Sequence, residues 1–104
     1  MTPKMLSDEM TVSGQITAED MKTLARSGAT MVINNRPDGE EADQPTSQTL
    51  KRAAEAAGLA YRHIPVKSGK IDGAAVAKFA EARRESGGPV HGFCRSGMRS
   101  TTLW

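Results

Sequence analysis

The sequence predicts an α/β domain with a mostly parallel central sheet and helices on both faces. Two observations support this fold class. Segments with apolar residues at helical spacing alternate along the chain with short apolar segments typical of strands. Strands joined through helices are usually parallel, because each helix carries the chain back across a face of the sheet. With 104 residues the chain is long enough for one domain, which we expect to span residues 1–104.

The first two helices are marked by their caps. The first begins with the capping-box-like residues 17–20, Thr-Ala-Glu-Asp, and ends at Gly28. The second runs from about residue 47 to residue 57 and stops at Gly58. The residues expected to face the core are Ala18, Met21, Leu24, Ala25, Leu50, Ala53, Ala54 and Ala57.

The third helix begins after Asp72, a residue type that caps helix N-termini well. Its inward residues are expected to be Val76, Phe79 and Ala80, and residues 87–89, Gly-Gly-Pro, close it.

Strands are predicted over residues 30–33, 59–66 and 89–93, each directly after a helix, and an earlier one around residues 6–12. A fourth helix starts just before the chain stops at Trp104. A helix this short is marginal unless it is packed. We therefore expect the chain to be a fragment that lacks C-terminal helices.

Composition excludes several classes of protein. The 14 Lys and Arg against 12 Asp and Glu give a net charge of +2, too small for a nucleic-acid-binding stripe. No apolar run approaches the ~20 residues of a membrane span, and the first residues do not resemble a signal peptide. One cysteine allows no internal disulfide, and with two histidines it cannot form a four-ligand zinc site. We expect a cytoplasmic protein with no metal and no cofactor.

The chemistry is expected in residues 94–100, Cys-Arg-Ser-Gly-Met-Arg-Ser, which follow the last predicted strand and lead into a helix. Ligand sites in such sheets lie at the carboxyl ends of the strands. A helix N-terminus there favours a thiolate at Cys94, and Gly97 lets successive N–H groups converge on an anion. Arg95 and Arg99 add positive charge suited to an oxyanion.

This loop resembles the active-site loops of cysteine-dependent protein tyrosine phosphatases and of rhodanese sulfurtransferases. The flanks narrow the resemblance: residues 32–41, Gln44-Pro45, residues 63–66 and the last eleven residues look like the bacterial beta-lactamase-hydrolase-like phosphatase-like domain. That domain occurs alone or fused to a metallo-β-lactamase-type hydrolase. The resemblance covers about residues 10–104 and implies a tyrosine-phosphatase-like fold.

The resemblance also implies roles for individual residues. Cys94 would be the nucleophile and would form a thiophosphate. Arg99 would bind two phosphoryl oxygens, and Ser100 would support breakdown of the intermediate. The substrate would be held by Arg95, Ser96, Gly97, Met98 and Arg99. It would be a phosphorylated or other oxyanionic molecule, and a metallo-β-lactamase-type hydrolase would be a functional partner.

The sequence departs from the tyrosine phosphatases in three ways. Four residues separate Cys94 from Arg99, as in rhodaneses, whereas the phosphatases have five. Phe93 stands before the cysteine in place of histidine, and His91 is expected to be a strand residue with a local hydrogen bond. The loop at residues 67–72 contains one carboxylate, Asp72, which can serve as the general acid or only as a helix cap.

Two further roles are left open by the sequence. An acidic segment follows a predicted strand and contains Asp38, Glu40, Glu41 and Asp43. One of these carboxylates could reach the site, although a solvated loop is the simpler expectation. The Ser100 hydroxyl could bond only within the first helical turn.

Three functions are compatible with these residues. The leading one is a cysteine-dependent phosphatase acting on phosphomonoesters. The second is a sulfurtransferase carrying a persulfide on Cys94, and the third is a non-catalytic phosphate-binding module.

Overall fold

The structure, a computed structural model, describes residues 2–67 and 69–104. In this part of the chain five strands form one sheet in the order β1-β2-β5-β3-β4. β1 pairs antiparallel with β2, and the other neighbouring strands are parallel. The elements are β1 Lys4–Ser7, β2 Met10–Ser13, α1 Asp20–Arg26, β3 Met31–Asn34, α2 Ser47–Ala56, β4 Ala60–His63, α3 Gly73–Glu85, β5 Val90–Phe93 and α4 Met98–Leu103.

The two faces of the sheet carry separate apolar clusters, because strand side chains alternate between faces. In β3, Met31 and Ile33 point to a cluster that includes Phe79 of α3 and Leu103 of α4. Val32 points to the opposite cluster, which α1 and α2 cover. The predicted α/β class, with a mostly parallel sheet and helices on both faces, is confirmed.

Several local predictions were wrong. Ala18, which was expected to face the core, is exposed and precedes α1. The single strand predicted around residues 6–12 is a hairpin, in which β1 and β2 pair around a turn at Asp8 and Glu9. Val76 is 42% exposed, not inward. Helix α3 instead turns Ala75, Phe79 and Ala82 to the sheet, at the i, i+4, i+7 spacing of one helical face.

The strand predicted over residues 59–66 is also shorter than expected, since β4 ends at His63. The chain beyond it still follows β3: the Ile64 N–H donates to the Asn34 carbonyl at 2.8 Å and the Val66 N–H to the Asn35 carbonyl at 3.0 Å. Val66 is thereby placed beside the loop that follows β5.

Two glycines allow β2 to pack closely against that loop. A Cβ atom at Gly14 would lie 2.9 Å from the Arg95 carbonyl oxygen, closer than real Cβ contacts come. Gly97 has φ +90°, and a Cβ there would lie 3.1 Å from the Ser13 carbonyl oxygen. Both positions require the absence of a side chain.

Candidate active site

The carboxyl ends of four parallel strands meet at one edge of the sheet. β5 ends at Phe93, between β2 on one side and β3 and β4 on the other. The segments that leave these strands therefore surround residues 94–99, the Cys94 loop. This is the edge at which α/β sheets bind ligands.

The Cys94 loop curls around its own sulfur. The Gly97 N–H donates to Cys94 Sγ at 3.0 Å, and the thiol is buried. Burial raises the pKa of the Cys94 thiol. The backbone N–H groups of Ser100, Ser96, Arg99 and Gly97 outweigh this effect, so that its pKa lies below the ordinary value. The loop therefore stabilises negative charge at Sγ.

Hydrogen bonds hold the guanidinium group of Arg99 along one part of its edge. Its Nη1 and Nη2 donate to the two carboxylate oxygens of Glu40, at 2.8 and 2.9 Å, and Nη1 also donates to the Val66 carbonyl at 2.9 Å. A guanidinium has five N–H donors in a fixed plane, of which these contacts use three. The other two, on Nε and Nη2, share one edge of the group. That edge is suited to two oxygens of an anion.

Glu40 and Cys94 both favour the charged form of Arg99. The hydrogen bonds from Arg99 to Glu40 raise the pKa of Arg99, and the negative charge of Cys94 raises it further. The same hydrogen bonds lower the pKa of Glu40 to about 2, with Arg36 adding to the effect. Both partners are therefore fully charged at neutral pH.

Arg36 is the centre of this network. Its side chain is 3% exposed. Its Nε donates to Glu40 at 2.8 Å, its Nη2 to Glu41 at 3.0 Å and its Nη1 to Gln15 Oε1 at 2.9 Å. This role was not predicted from the sequence. The available signal was an arginine directly after a strand and followed closely by acidic residues.

The acidic segment is therefore not simply solvated, as the simpler expectation had it. Glu40 reaches Arg99, and Asp38 accepts the Ser47 N–H at 2.8 Å at the start of α2. Glu41 also pairs with Arg95, at 3.1 Å. These contacts tie the segment after β3 to both arginines of the Cys94 loop.

The remaining loop residues differ in exposure. Arg95 and Met98 are largely exposed, with 70% of the Arg95 side chain and 73% of Met98 accessible. Together with Ser96 and Arg99 they line a cavity of about 450 Å³. A substrate held at the loop would extend into this space.

Ser100 is buried and serves the site in two ways. Its N–H is among those that lower the pKa of Cys94. Its hydroxyl donates to Asn35 Oδ1 at 2.8 Å, and the Asn35 amide donates to the Ile64 carbonyl at 2.9 Å. The hydroxyl thus bonds to the segment after β3 and not within its own helical turn.

His91 is buried on β5 and its partners lie on the neighbouring strand β2. Its ring nitrogens contact Thr11 Oγ1 at 2.7 Å and Ser13 Oγ at 2.8 Å. Burial lowers the pKa of His91 to about 4. A neutral imidazole therefore links β5 to the strand that supports the Cys94 loop.

Asp72 lies apart from the cavity at Arg95 and Arg99. Its carboxylate accepts the Ala75 N–H at 2.9 Å and caps α3. It lines a different cavity of about 410 Å³, together with His63, Lys67, Lys70 and Lys78. The structure shows its capping role, and its role as an acid stays a prediction.

Residues 2–67 and 69–104 show no membrane-spanning helix and no metal-binding cluster. None of the helices in these ranges is long and apolar enough to cross a membrane. The same residues contain no group of three or more His, Cys, Asp or Glu side chains arranged to hold a metal ion.

Residues 3–104 match the model of one protein family, the beta-lactamase hydrolase-like protein, phosphatase-like domain. The chain belongs to this family. It is 38% identical over 99 residues to a beta-lactamase hydrolase-like protein of Agrobacterium fabrum and 36% identical to one of Xylella fastidiosa. Each match covers 95% of this chain and 23% of the relative, so the chain spans about a quarter of these curated proteins.

Solved structures agree with this assignment. A candidate phosphatase from Neisseria meningitidis superposes with a TM-score of 0.89 at 34% identity, over 96% of this chain and 71% of the other. The core catalytic domain of a PP-IP phosphatase from S. cerevisiae superposes at 0.74 with 14% identity, over 97% and 60% of the two chains. A P. aeruginosa protein crystallised with phosphotyrosine superposes at 0.69 with 19% identity, over 97% and 58%. The last two show a shared tyrosine-phosphatase-like fold.

Proposed function

We propose that this domain is a cysteine-dependent phosphatase that hydrolyses phosphomonoesters through a thiophosphate on Cys94. The observation that carries the proposal is the Cys94 loop. One sulfur with a lowered pKa lies inside a ring of N–H donors, beside an arginine with one donor edge unused. The phosphatase-like fold of the family supports the same interpretation.

In the first step the Cys94 thiolate attacks phosphorus. The S–P bond forms as the bond from phosphorus to the ester oxygen breaks, and that oxygen leaves with the bonding electrons and takes up a proton. The Nε and Nη2 edge of Arg99 binds two phosphoryl oxygens, while the loop N–H groups bind the third. In the second step water attacks the thiophosphate, which releases inorganic phosphate and restores the thiolate.

The leaving oxygen needs a proton donor. Glu40 does not fit, because its pKa is about 2 and its two oxygens are bound by Arg99 and Arg36. We keep Asp72 as the proposed donor, which requires movement away from its capping contact with Ala75. Ser100 keeps its proposed role in the second step.

The test is turnover of p-nitrophenyl phosphate by the wild type, Cys94→Ser and Asp72→Asn. This substrate has a good leaving group and needs little acid catalysis. We expect Cys94→Ser to abolish turnover and Asp72→Asn to preserve it. Asp72→Asn should be slow only with phenyl phosphate, whose leaving group is poorer. Turnover that persists in Cys94→Ser, or a folded wild type with none, would refute the phosphatase.

A sulfurtransferase is the second candidate, because four residues separate Cys94 from Arg99, the length of the rhodanese loop. Cys94 would then attack the outer sulfur of thiosulfate, release sulfite and hold a persulfide for a thiol acceptor. A mass gain of one sulfur atom on Cys94 after thiosulfate treatment would support this candidate. An unmodified protein, free of reductant throughout, would exclude it.

The cysteine chemistry and the relatives suggest where the domain acts and with which partner. A catalytic thiolate is preserved best in a reducing compartment, so we propose a cytoplasmic site of action. The relatives are about four times the length of this chain and carry the name beta-lactamase hydrolase-like protein. We accordingly propose a metallo-β-lactamase-type hydrolase as the functional partner.

A further inference from the structure

We propose that the cavity of about 410 Å³ beside β4 and α3 is a subsite for a second phosphate group on the same substrate. The preferred substrate is then a small molecule that carries at least two phosphate groups. The proposal rests on the proposed function, because the first phosphate group is the one held by the Cys94 loop. We call this cavity the lysine cavity, after Lys67, Lys70 and Lys78 in its lining.

The lining of the lysine cavity is strongly basic. Its three lysines are exposed. The only carboxylate in the lining is Asp72, which already accepts a hydrogen bond from the Ala75 N–H. Among the described residues, none of these lysines lies within 4.0 Å of a carboxylate oxygen. The cavity therefore gathers positive charge with little to neutralise it.

The local backbone keeps two of the lysines together. The Lys70 N–H donates to the Lys67 carbonyl at 3.0 Å and closes a tight turn. Gly69 lies in this turn with φ +76°, a conformation that other residues rarely adopt. Lys78 faces the turn from α3, in the second turn of the helix. The charges thus come from a turn and a helix that border the same space.

The lysine cavity adjoins the proposed catalytic loop. Val66 lies in its lining, and the Val66 carbonyl accepts the hydrogen bond from Arg99 Nη1. Residues 69–72 border two cavities: Lys70 and Asp72 line the lysine cavity, whereas Gly69 and Ile71 line the cavity at Arg95 and Arg99. The proposed site of the first phosphate group and the lysine cavity therefore share one segment of backbone.

The chemistry of the lining favours phosphate over other occupants. Lysine ammonium groups act as flexible point charges that suit phosphate groups without demanding one geometry. The exposed lysine side chains leave the cavity open to a mobile small molecule. Binding that depends on several exposed charges should weaken as salt rises.

The test is calorimetric binding of inorganic phosphate, diphosphate, triphosphate and tetraphosphate to the folded Cys94→Ser protein. Binding needs no turnover, so its result is separate from the result of the phosphatase assay. The test variant is Lys67→Gln/Lys70→Gln/Lys78→Gln. The matched control is Lys22→Gln/Arg26→Gln/Arg52→Gln, which removes three exposed cations from α1 and α2.

We expect at least one of the longer phosphates to bind about tenfold more tightly than inorganic phosphate, as a few exposed ion pairs would give. The lysine variant should lose most of this advantage and keep its affinity for inorganic phosphate, whereas the control variant should keep both. Equal affinity for all four probes would overturn the proposal. An equal loss in the two triple variants would also overturn it, because it would show a general attraction to charge.

Discussion

Two charged regions flank the Cys94 loop, and their charges are arranged in opposite ways. In residues 36–41 Arg36, Glu40 and Glu41 form ion pairs with one another and with the loop arginines. Around the lysine cavity Lys67, Lys70 and Lys78 border open space. The paired region is partly buried, and the unpaired region is exposed.

This difference distinguishes charged side chains that stabilise the structure of the site from charged side chains that can bind a ligand. A partly buried ion pair is costly to break, because the partner that remains loses its compensation. An exposed lysine adds little to folding whether or not it is paired. Substitutions in the first region should therefore change stability, and those in the second should change only recognition.

Arg36→Met should have the largest effect on stability. It removes three hydrogen bonds and leaves Glu40 and Glu41 with one arginine each. We expect a loss of about 3 kcal/mol in the free energy of unfolding, measured with urea. The matched control is Arg62→Met, which breaks an exposed pair with Glu85 at 3.9 Å and should cost under about 0.5 kcal/mol. Equal losses in the two variants would contradict the assigned role of Arg36.

Glu40→Gln should have the next largest effect, and its effect depends on pH. The pKa of Glu40 falls from 4.5 to about 2 on folding. A lowered carboxyl pKa gives stability that is complete above pH 4.5 and is lost as the pH falls through 2. Urea unfolding between about pH 6 and about pH 2 should therefore be less dependent on pH in Glu40→Gln than in the wild type.

The control for this experiment is Glu41→Gln. Glu41 is 44% exposed, against 27% for Glu40, and its pairs with Arg36 and Arg95 are single contacts. In Glu41→Gln the free energy of unfolding should therefore depend on pH about as strongly as in the wild type. A Glu40→Gln protein as sensitive to acid as the wild type would show that Glu40 is not the anchored carboxylate.

The smallest effect is expected for Lys67→Gln/Lys70→Gln/Lys78→Gln. Its free energy of unfolding should stay within about 0.5 kcal/mol of the wild type, since surface changes away from special features usually do. Turnover of p-nitrophenyl phosphate, which has one phosphate group, should also be preserved. A destabilised triple variant would show that the lysines stabilise the fold, as Arg36 is expected to do. The proposed difference between the two regions would then be wrong.

The sequence predicted the fold better than it predicted the contacts between loops. Caps and glycines are local signals, so α2, α3 and the end of α1 were placed within a residue or two. Cys94 and Arg99 were found because both lie in one short segment after a strand. The Cys94 loop could thus be identified as the candidate site, although its chemistry stays a proposal.

The contacts that could not be predicted join residues that lie far apart along the chain. Glu40 and Arg99 are 59 residues apart, and nothing in either segment specifies which carboxylate reaches which arginine. Val76 was misassigned because alanines fill much of α3, and a helix rich in small residues gives a weak inward face. The orientation of α3 was settled by Phe79 packing into the core, a tertiary contact.

The close approach at Gly14 has a practical consequence for genetics. A methyl group there would press on the Arg95 carbonyl oxygen from beneath the loop, while the thiol and every charged group remain in the chain. A Gly14→Ala allele would thus distort the loop without deleting any of the groups expected to carry out the reaction. Cells carrying this allele would separate the need for a well-formed loop from the need for the cysteine itself.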